Sequence, residues 1–128
     1  MFLCIFRIKF ILIHMEITLS FGSKKMYASL FDTSTAHAIY KALPFTGNVQ
    51  LWGNEAYFEI PVFHPLEQDA SETVPIGGLA YWPQGKCFCV FWGQNPISAV
   101  NVFGKIHTNL DDIYSLKNNE RMIVDVQL

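Results

Sequence analysis

Two carboxylates on one short stretch of the chain are the best candidates for acid–base or ligand-binding chemistry. Glu55 and Glu59 both occupy odd positions of segment 51–62, and Tyr57 lies between them. On a strand, four residue steps would place the two backbones about 13 Å apart. That exceeds the roughly 5–9.5 Å between the paired carboxylates of glycoside hydrolases. The pattern therefore predicts either a polar, solvent-facing strand surface or a ligand-binding face.

Glu55 is the better candidate of the two because Trp52 and Tyr57 lie close to it in sequence. An apolar setting of this kind would raise the pKa of the Glu55 carboxyl group, since burial disfavours the charged form.

The cysteines and histidines form no familiar metal-binding pattern. Cys87 and Cys89 have one residue between them, whereas zinc knuckles have two to four. The histidines fall at no ligand spacing; they are His14, His37, His64 and His107. The sequence therefore predicts no metal site and no cofactor. It predicts core or barrel-lining thiols instead, because free cysteine is among the most buried residue types.

No serine has the sequence surroundings of a catalytic nucleophile. Ser29 and Ser98 lie near no His–Asp pattern, and the chain has no Gly-x-Ser-x-Gly motif. Gly77-Gly78 is typical of a turn, not of a phosphate-binding loop. The sequence therefore predicts no catalytic residue.

The candidate residues lie in a stretch, 51–98, whose pattern predicts strands. In segment 51–62 the even positions are mainly apolar and the odd ones mainly polar, which is the period-two pattern of a strand with one buried face. Segment 79–92 predicts a hairpin that turns at Pro83-Gln84-Gly85. Its second arm, 87–92, is apolar at every position, as in a strand buried on both faces.

The segments before and after this stretch predict the rest of a barrel. Residues 16–21 and 26–31 alternate around a glycine-containing turn and predict a hairpin, and 34–43 predicts a helix that begins after capping oxygens. A strand over 99–107 and a short helix over 110–116 follow.

The last segment, 121–128, alternates again and predicts a strand that pairs with the first one. That pairing would close the sheet. The expected fold is therefore all-β, a closed barrel with one main helix and one short helix.

These motifs resemble the small prokaryotic cyclophilin-like domains of unknown function, a family distinct from the true cyclophilins. The residues that carry the resemblance are Leu43-Pro44, Trp52-Gly53-x-Glu55-x-Tyr57-Phe58, Ala80-Tyr81-Trp82-Pro83, Phe91-x-Gly93-x-x-Pro96-x-Ser98 and Gly104-Lys105-Ile106. The resemblance covers roughly residues 17–126. The family commonly carries an acidic residue just before the Tyr-Trp-Pro motif, where this chain has Gly78.

The resemblance implies a cyclophilin-like barrel that binds a small molecule or a peptide and does not isomerise prolyl bonds. True cyclophilins use an arginine near the prolyl nitrogen, whereas the matching strand here reads Phe58-Glu59-Ile60 and the only arginines are Arg7 and Arg121. Cyclophilin-like domains also occur within amide-hydrolysing enzymes such as allophanate hydrolase and the bacterial oxoprolinase subunits. The alternative is therefore an enzyme, a residual isomerase or an amide-hydrolysis-related subunit, that uses Glu55 as acid or base.

The expected ligand site is an aromatic surface with few polar groups, the usual composition of a binding pocket. Its predicted residues are Trp52, Glu55, Tyr57, Tyr81, Trp82 and Trp92. The long loop 64–78 is predicted to be either a mobile surface loop or a lid above this site. By strand parity, Trp52 and Trp82 are expected to point inward, and Glu55, Tyr57 and Tyr81 outward.

Length and composition favour one cytoplasmic domain. The chain has 128 residues, 51% of them hydrophobic, a net charge of −2 and three cysteines. The scattered basic residues predict no nucleic-acid partner, and the odd number of cysteines predicts reduced thiols in the cytoplasm. Homo-oligomers are left open.

Residues 15–128 are predicted to form the domain, with no membrane partner. Residues 1–14 are apolar but interrupted by Arg7 and Lys9. They are predicted to be an extension that precedes a natural start at Met15; the alternative is an added strand or a membrane-associating tail.

Overall fold

An antiparallel sheet of nine strands dominates the computed structural model, which describes residues 14–128. In chain order the strands are β1 (Met15–Phe21), β2 (Lys24–Leu30), β3 (Phe45–Asn48), β4 (Gln50–Leu51), β5 (Glu55–Glu59), β6 (Gly78–Trp82), β7 (Cys87–Phe91), β8 (Asn101–Thr108) and β9 (Arg121–Val126). Their order in the sheet is β3-β9-β1-β2-β8-β6-β7-β5-β4. The sheet curls into a nearly closed barrel, so the all-β prediction is confirmed.

The first and last strands pair as the sequence predicts. Ile17 lies opposite Val126 and Ser20 lies opposite Ile123 in the β1–β9 ladder. The two ends of the sheet, β3 and β4, are separated along the chain by Val49 alone. Val49 donates its N–H to the Glu120 carbonyl at 2.9 Å and is fully buried. This residue therefore ties the two edges of the sheet together.

One α-helix and two 3₁₀ segments complete the described chain. The helix α1 (Ser34–Ala42) begins after Thr33, whose side-chain oxygen accepts the Ala36 N–H at 3.1 Å. This cap satisfies one of the backbone donors that the first helical turn leaves free. The 3₁₀ segments cover Pro83–Gly85 and Leu110–Ser115, and the second is the predicted short helix.

The barrel interior is filled by aromatic and aliphatic side chains. The Phe88 ring lies between those of Phe58 and Phe103, with centroids 5.4 and 5.3 Å away. These aromatic contacts add to the stabilisation from burial. A second apolar cluster lies on the other face of the sheet and consists of Val74, Ala80, Cys87, Cys89, Phe91 and Val100. β7 contributes to both clusters, which confirms the prediction of a strand buried on both faces.

Segment 51–62 does not form the single strand that its alternation predicts. β4 and β5 instead make an antiparallel hairpin, in which the Trp52 N–H donates to the Glu55 carbonyl at 2.9 Å. The turn depends on Gly53, whose φ of +62° is a conformation that residues with a Cβ rarely adopt. Trp52 therefore lies on a turn with 53% of its surface exposed, and the prediction that it points inward is wrong.

The β6–β7 turn occurs where the sequence predicts it, but a different residue takes the left-handed conformation. Lys86 has a φ of +52°. Gly85 is required for another reason, because a Cβ there would lie 2.7 Å from the Trp82 ring. The turn and the indole therefore fix each other's position.

The loop between β5 and β6 is held along the barrel by hydrogen bonds. Ser71 and Val100 exchange two backbone hydrogen bonds of 2.9 Å. The Glu67 N–H donates to Asn101 Oδ1 at 2.8 Å, and the Glu67 carboxylate accepts the Thr35 N–H at 3.2 Å. These contacts connect the loop to α1 and to the start of β8.

No helix within residues 14–128 is both long enough and apolar enough to cross a membrane. Apart from His14, the extension predicted over residues 1–14 lies outside the described residues.

Candidate ligand-binding site

A pocket of about 280 Å³ opens on the outer face of β5, β7 and β6. It is lined by Trp52, Glu55, Tyr57, Trp82, Cys87, Cys89, Phe91, Pro96, Ile97 and Val100. Nine of these ten side chains are apolar, aromatic or thiol groups, so Glu55 is the single ionisable carboxylate in the wall.

Strand register explains why these side chains meet. Glu55 is opposite Phe91, and Tyr57 is opposite Cys89, in the β5–β7 ladder. Directly opposed residues in a sheet point to the same face, and the next residue along each strand points to the other. The intervening residues therefore enter the barrel interior, and the outer face receives the carboxylate, the phenol and the thiol together.

Glu55 has an unusual environment for a carboxylate. The residue is only 7% exposed, and its Oε1 atom has no hydrogen-bond partner among the residues that the structure describes. Burial raises the pKa of the Glu55 carboxyl group, an effect that contacts with Cys89 and Gln94 partly oppose. A buried polar atom without a partner is rare, because each one loses its interaction with water.

Gln94 holds the turn that carries Trp52 and Glu55. Its Oε1 accepts the Asn54 N–H at 2.7 Å, and its Nε2 donates to the Trp52 carbonyl at 3.0 Å. One amide side chain thus satisfies both a donor and an acceptor of the β4–β5 turn. Sequence reasoning did not single out Gln94.

The two thiols in the pocket wall are buried and neutral. Burial raises the pKa of Cys87 and raises that of Cys89 well above its usual range, and the nearby carboxylates add to both shifts. The Cys87 Sγ donates to the Gly85 carbonyl at 3.4 Å. Across residues 14–128, no three His, Cys, Asp or Glu side chains are placed to hold a metal ion together.

Four of the six predicted site residues line the pocket: Trp52, Glu55, Tyr57 and Trp82. Tyr81 and Trp92 belong to the barrel interior instead. Tyr81 is fully buried, and its hydroxyl donates to the Val62 carbonyl at 2.5 Å. The same oxygen accepts the His64 N–H at 3.3 Å.

The faces predicted for Tyr81 and Trp82 are therefore reversed. Tyr81 is opposite Phe88, which points inward, and Trp82 is opposite Cys87, which points outward. The Trp82 Nε1–H donates to Ser98 Oγ at 3.0 Å. The sequence could not assign these faces, because all four residues of 79–82 are apolar or aromatic and no polar residue marks the outside.

The pocket is bordered by a different loop from the one predicted. Within the described chain, no residue of 64–78 lines it; Pro96, Ile97 and Val100 do. Ile97 is 76% exposed at the rim. Sequence reasoning missed these three residues. The available signal was the position of Ile97 between Pro96 and Ser98, inside a motif that carries the family resemblance.

Comparison with known proteins places this fold in a family. A model of the family described as Cyclophilin-like matches residues 15–125. The solution structure of the hypothetical protein AF2241 from Archaeoglobus fulgidus is similar, with a TM-score of 0.74 and 30% identity over 90% of this chain and 96% of that one. No curated protein matches the chain.

A second solved structure is similar at lower identity. McbB, in a structure in complex with tryptophan, has a TM-score of 0.69 and 14% identity, covering 85% of this chain and 44% of that one. The chain thus spans less than half of McbB, and this likeness shows the fold alone. The predicted resemblance is confirmed, and the chain belongs to the Cyclophilin-like family.

Proposed function

We propose that this chain is a binding module for a small molecule or a peptide group, and that its ligand occupies the pocket around Glu55. The observation that carries the proposal is the buried Glu55 Oε1, which has no partner among the described residues and lies in an otherwise apolar wall. A ligand that donates a hydrogen bond to this atom would supply the missing partner.

The rim of the pocket supports the proposal. Trp52 is 53% exposed and Ile97 is 76% exposed, and both line the opening. A ligand between them would remove this apolar surface from water, which is favourable by about 25 cal/mol per Å² of apolar area. Concave, mainly apolar sites with one or two placed polar groups are the usual form of small-molecule sites.

Prolyl isomerase activity is expected to be absent or marginal. The lining residues include no cation that could hydrogen-bond near a prolyl nitrogen, and such a cation supplies electrostatic stabilisation of the transition state. Arg121 is exposed on β9 and does not line the pocket. Arg7 lies outside the described residues.

The comparisons supply limited support. McbB, whose structure was solved with tryptophan, contains a region of similar fold in a protein that binds a small molecule. At 14% identity its ligand is not transferred to this chain.

Cellular location and assembly stay predictions. The two buried thiols agree with the predicted reducing cytoplasm.

The second candidate is an enzyme in which Glu55 gives or accepts a proton. Burial raises the pKa of Glu55, and perturbed carboxylates in pockets are frequent among catalytic groups. An NMR titration of the free protein separates the candidates. A Glu55 pKa of about 6–7 would favour proton transfer near neutral pH, and a value near the ordinary range would favour binding.

A thermal-shift screen against metabolites and proline peptides tests the binding proposal. A ligand that binds only the folded state must raise the melting temperature. The shift should disappear in Tyr57→Ala and in Glu55→Gln, and it should persist in Tyr114→Ala, which removes an exposed tyrosine outside the pocket. A hit that both pocket variants bind normally would show that the site is elsewhere.

A further inference from the structure

The geometry points to an organic cation as the ligand: an ammonium group on an aromatic or apolar body, with the nitrogen at the Glu55 carboxylate. This inference rests on the proposed function, because it names the class of ligand for the same pocket. Hydrogen bonding at Glu55 favours a ligand group that donates. Glu55 Oε1 is buried without a protein donor in the described chain, and an ammonium group offers two or three donors and no acceptor.

The charges around the pocket also favour a cation. The ten lining residues include no Lys, Arg or His. The nearest ion pair on the same strand joins Glu59 to Lys86 at 3.8 Å, and both of those side chains are largely exposed. An ionised Glu55 therefore has no partner charge in the pocket wall. Because an uncompensated buried charge is strongly unfavourable, a ligand cation would stabilise it more than a neutral group.

The aromatic walls of the pocket also favour a cation. Trp52, Tyr57, Trp82 and Phe91 supply aromatic rings around the pocket. The electron-rich faces of such rings attract cations within about 6 Å of the ring centre. Aromatic walls and a carboxylate together favour a positive ligand group and disfavour a negative one.

Two hydrogen-bond donors of the wall that an anion could use are bonded within the protein. The Trp82 Nε1–H donates to Ser98 Oγ, and the Cys87 Sγ donates to the Gly85 carbonyl. A carboxylate or phosphate ligand would meet the Glu55 carboxylate in a wall that has no basic residue to receive it. Such like-charge contacts exclude wrong ligands.

The size of the pocket limits the ligand body. Its volume of about 280 Å³ lies just below the roughly 300–1,000 Å³ typical of ligand pockets. This space suits one ring or two fused rings, and it is small for an extended peptide. The ligands that fit this space are a single amine-bearing side chain or a small amine.

The titration of Glu55 gives the inference a signed pH dependence. The other titratable groups at the pocket are the thiols of Cys87 and Cys89 on β7 and the phenol of Tyr57 on β5. Glu59, farther along β5, adds negative charge near Cys87. Burial raises the pKa of both thiols, which keeps them neutral near pH 7. An ammonium ligand needs ionised Glu55, so its affinity should rise with pH through the Glu55 pKa and then level off.

The test uses six probes in isothermal titration calorimetry: phenyl and indole bodies, each with an ethylammonium, an ethanol or an acetate side chain. The ammonium probes should bind about tenfold to a hundredfold more tightly than the matched alcohols, the range expected for a hydrogen bond to a charged group. The acetates should bind most weakly. Both ammonium groups stay protonated below about pH 9, so pH acts through the protein.

Three variants assign the effect to named side chains. Glu55→Gln should remove the preference for ammonium and flatten the pH profile. Tyr57→Ala should weaken probes of every charge, because it removes part of the wall. Glu59→Gln is the matched control; it removes an exposed carboxylate from the same strand and should leave all affinities unchanged.

The outcomes separate this inference from the proposed function. If alcohols or acetates bind as tightly as amines, or more tightly at low pH, the cationic class is wrong while the pocket remains a binding site. If neither amine binds at about 10 mM, a level that detects even millimolar affinity, the class is also wrong. A metabolite-screen hit lost in Tyr57→Ala would still support the proposed function, and an empty screen would count against both.

Discussion

The two faces of β5, β6 and β7 bury side chains with different consequences. On the inner face, Phe58, Tyr81 and Phe88 pack into a continuous core, and the one polar group, the Tyr81 hydroxyl, has two hydrogen-bond partners. On the outer face, Glu55 is buried beside an open pocket and keeps an oxygen without a partner in the described chain. Because stability alone favours satisfied polar groups, the outer face is where selection for binding would be visible.

The largest expected effect on stability comes from a substitution on the inner face. Phe88→Ala should lower the free energy of unfolding by about 3–5 kcal/mol, since it removes a fully buried ring and leaves a cavity. Tyr57→Ala, at a half-buried position on the outer face, should cost about 1 kcal/mol. Urea denaturation measures both. Equal losses would contradict the division of the strands into a packing face and a binding face.

Two tyrosine variants sharpen the same comparison. Tyr81→Phe keeps the ring but leaves the buried Val62 carbonyl and the His64 N–H without the hydroxyl, and it should cost about 1–2 kcal/mol. Tyr57→Phe, on the pocket face, should change the free energy of unfolding by less than about 0.5 kcal/mol. Chemical denaturation of both variants is the measurement. A neutral Tyr81→Phe would show that these hydrogen bonds contribute nothing to stability.

A smaller effect concerns two carboxylates whose pKa values shift in opposite directions. Burial raises the pKa of Glu55. Burial alone would also raise that of Glu16, but hydrogen bonds from Ser29 and His107 and the charges of His107 and His14 together lower it.

Linkage fixes the sign of each contribution to stability. The folded state holds the Glu55 proton more tightly than the unfolded state, so this residue lowers stability as pH rises from the usual carboxyl range through its raised pKa. Glu16 does the reverse, since its stabilisation is lost as pH falls through its lowered pKa.

Thermal unfolding between about pH 3 and pH 8 measures both contributions, because stability depends on pH wherever the two states bind different numbers of protons. Relative to the parent chain, Glu55→Gln should gain stability toward high pH, and Glu16→Gln should lose it there. Parallel curves for the parent and the Glu55→Gln variant would show that the pKa of Glu55 is ordinary, which would count against the enzyme and favour binding.

The smallest expected effect comes from removing the residues before Met15. A chain that begins at Met15 should keep its melting temperature within about 4 °C, which corresponds to less than roughly 1 kcal/mol for a domain of this size. The first thirteen residues lie outside the described structure, so this stays a prediction from sequence. A large drop in melting temperature would mean that Phe2, Ile5 and Ile8 pack on the barrel.

Local sequence was sufficient to predict most of the elements. Alternation over 16–31 gave the first hairpin, and alternation over 121–128 gave a strand that closes the sheet against β1. Capping oxygens before residue 34 predicted α1. Each of these signals is local, since it depends on residues a few positions apart, and period-two or period-3.6 patterns report directly on which residues share a face.

The candidate site was predictable only in part, and the errors have one physical cause. Glu55 and Tyr57 were found because a polar and an aromatic residue alternate with apolar ones on β5. Tyr81 and Trp82 were assigned to the wrong faces because β6 is apolar throughout. Alternation says that neighbours point to opposite sides, but the register against β7 decides which side is the interior.

What the sequence by itself determined about this protein is most of its strands, its helix, the closure of its barrel and its membership of the Cyclophilin-like family. Only the tertiary structure decided that 51–62 folds back at Gly53, that Gln94 holds that turn, and that Ile97 and Val100 border the pocket. The reason is distance along the chain: Gln94 and Trp52 are forty-two positions apart. No local pattern records such a contact, because the path of the whole sheet brings the two residues together.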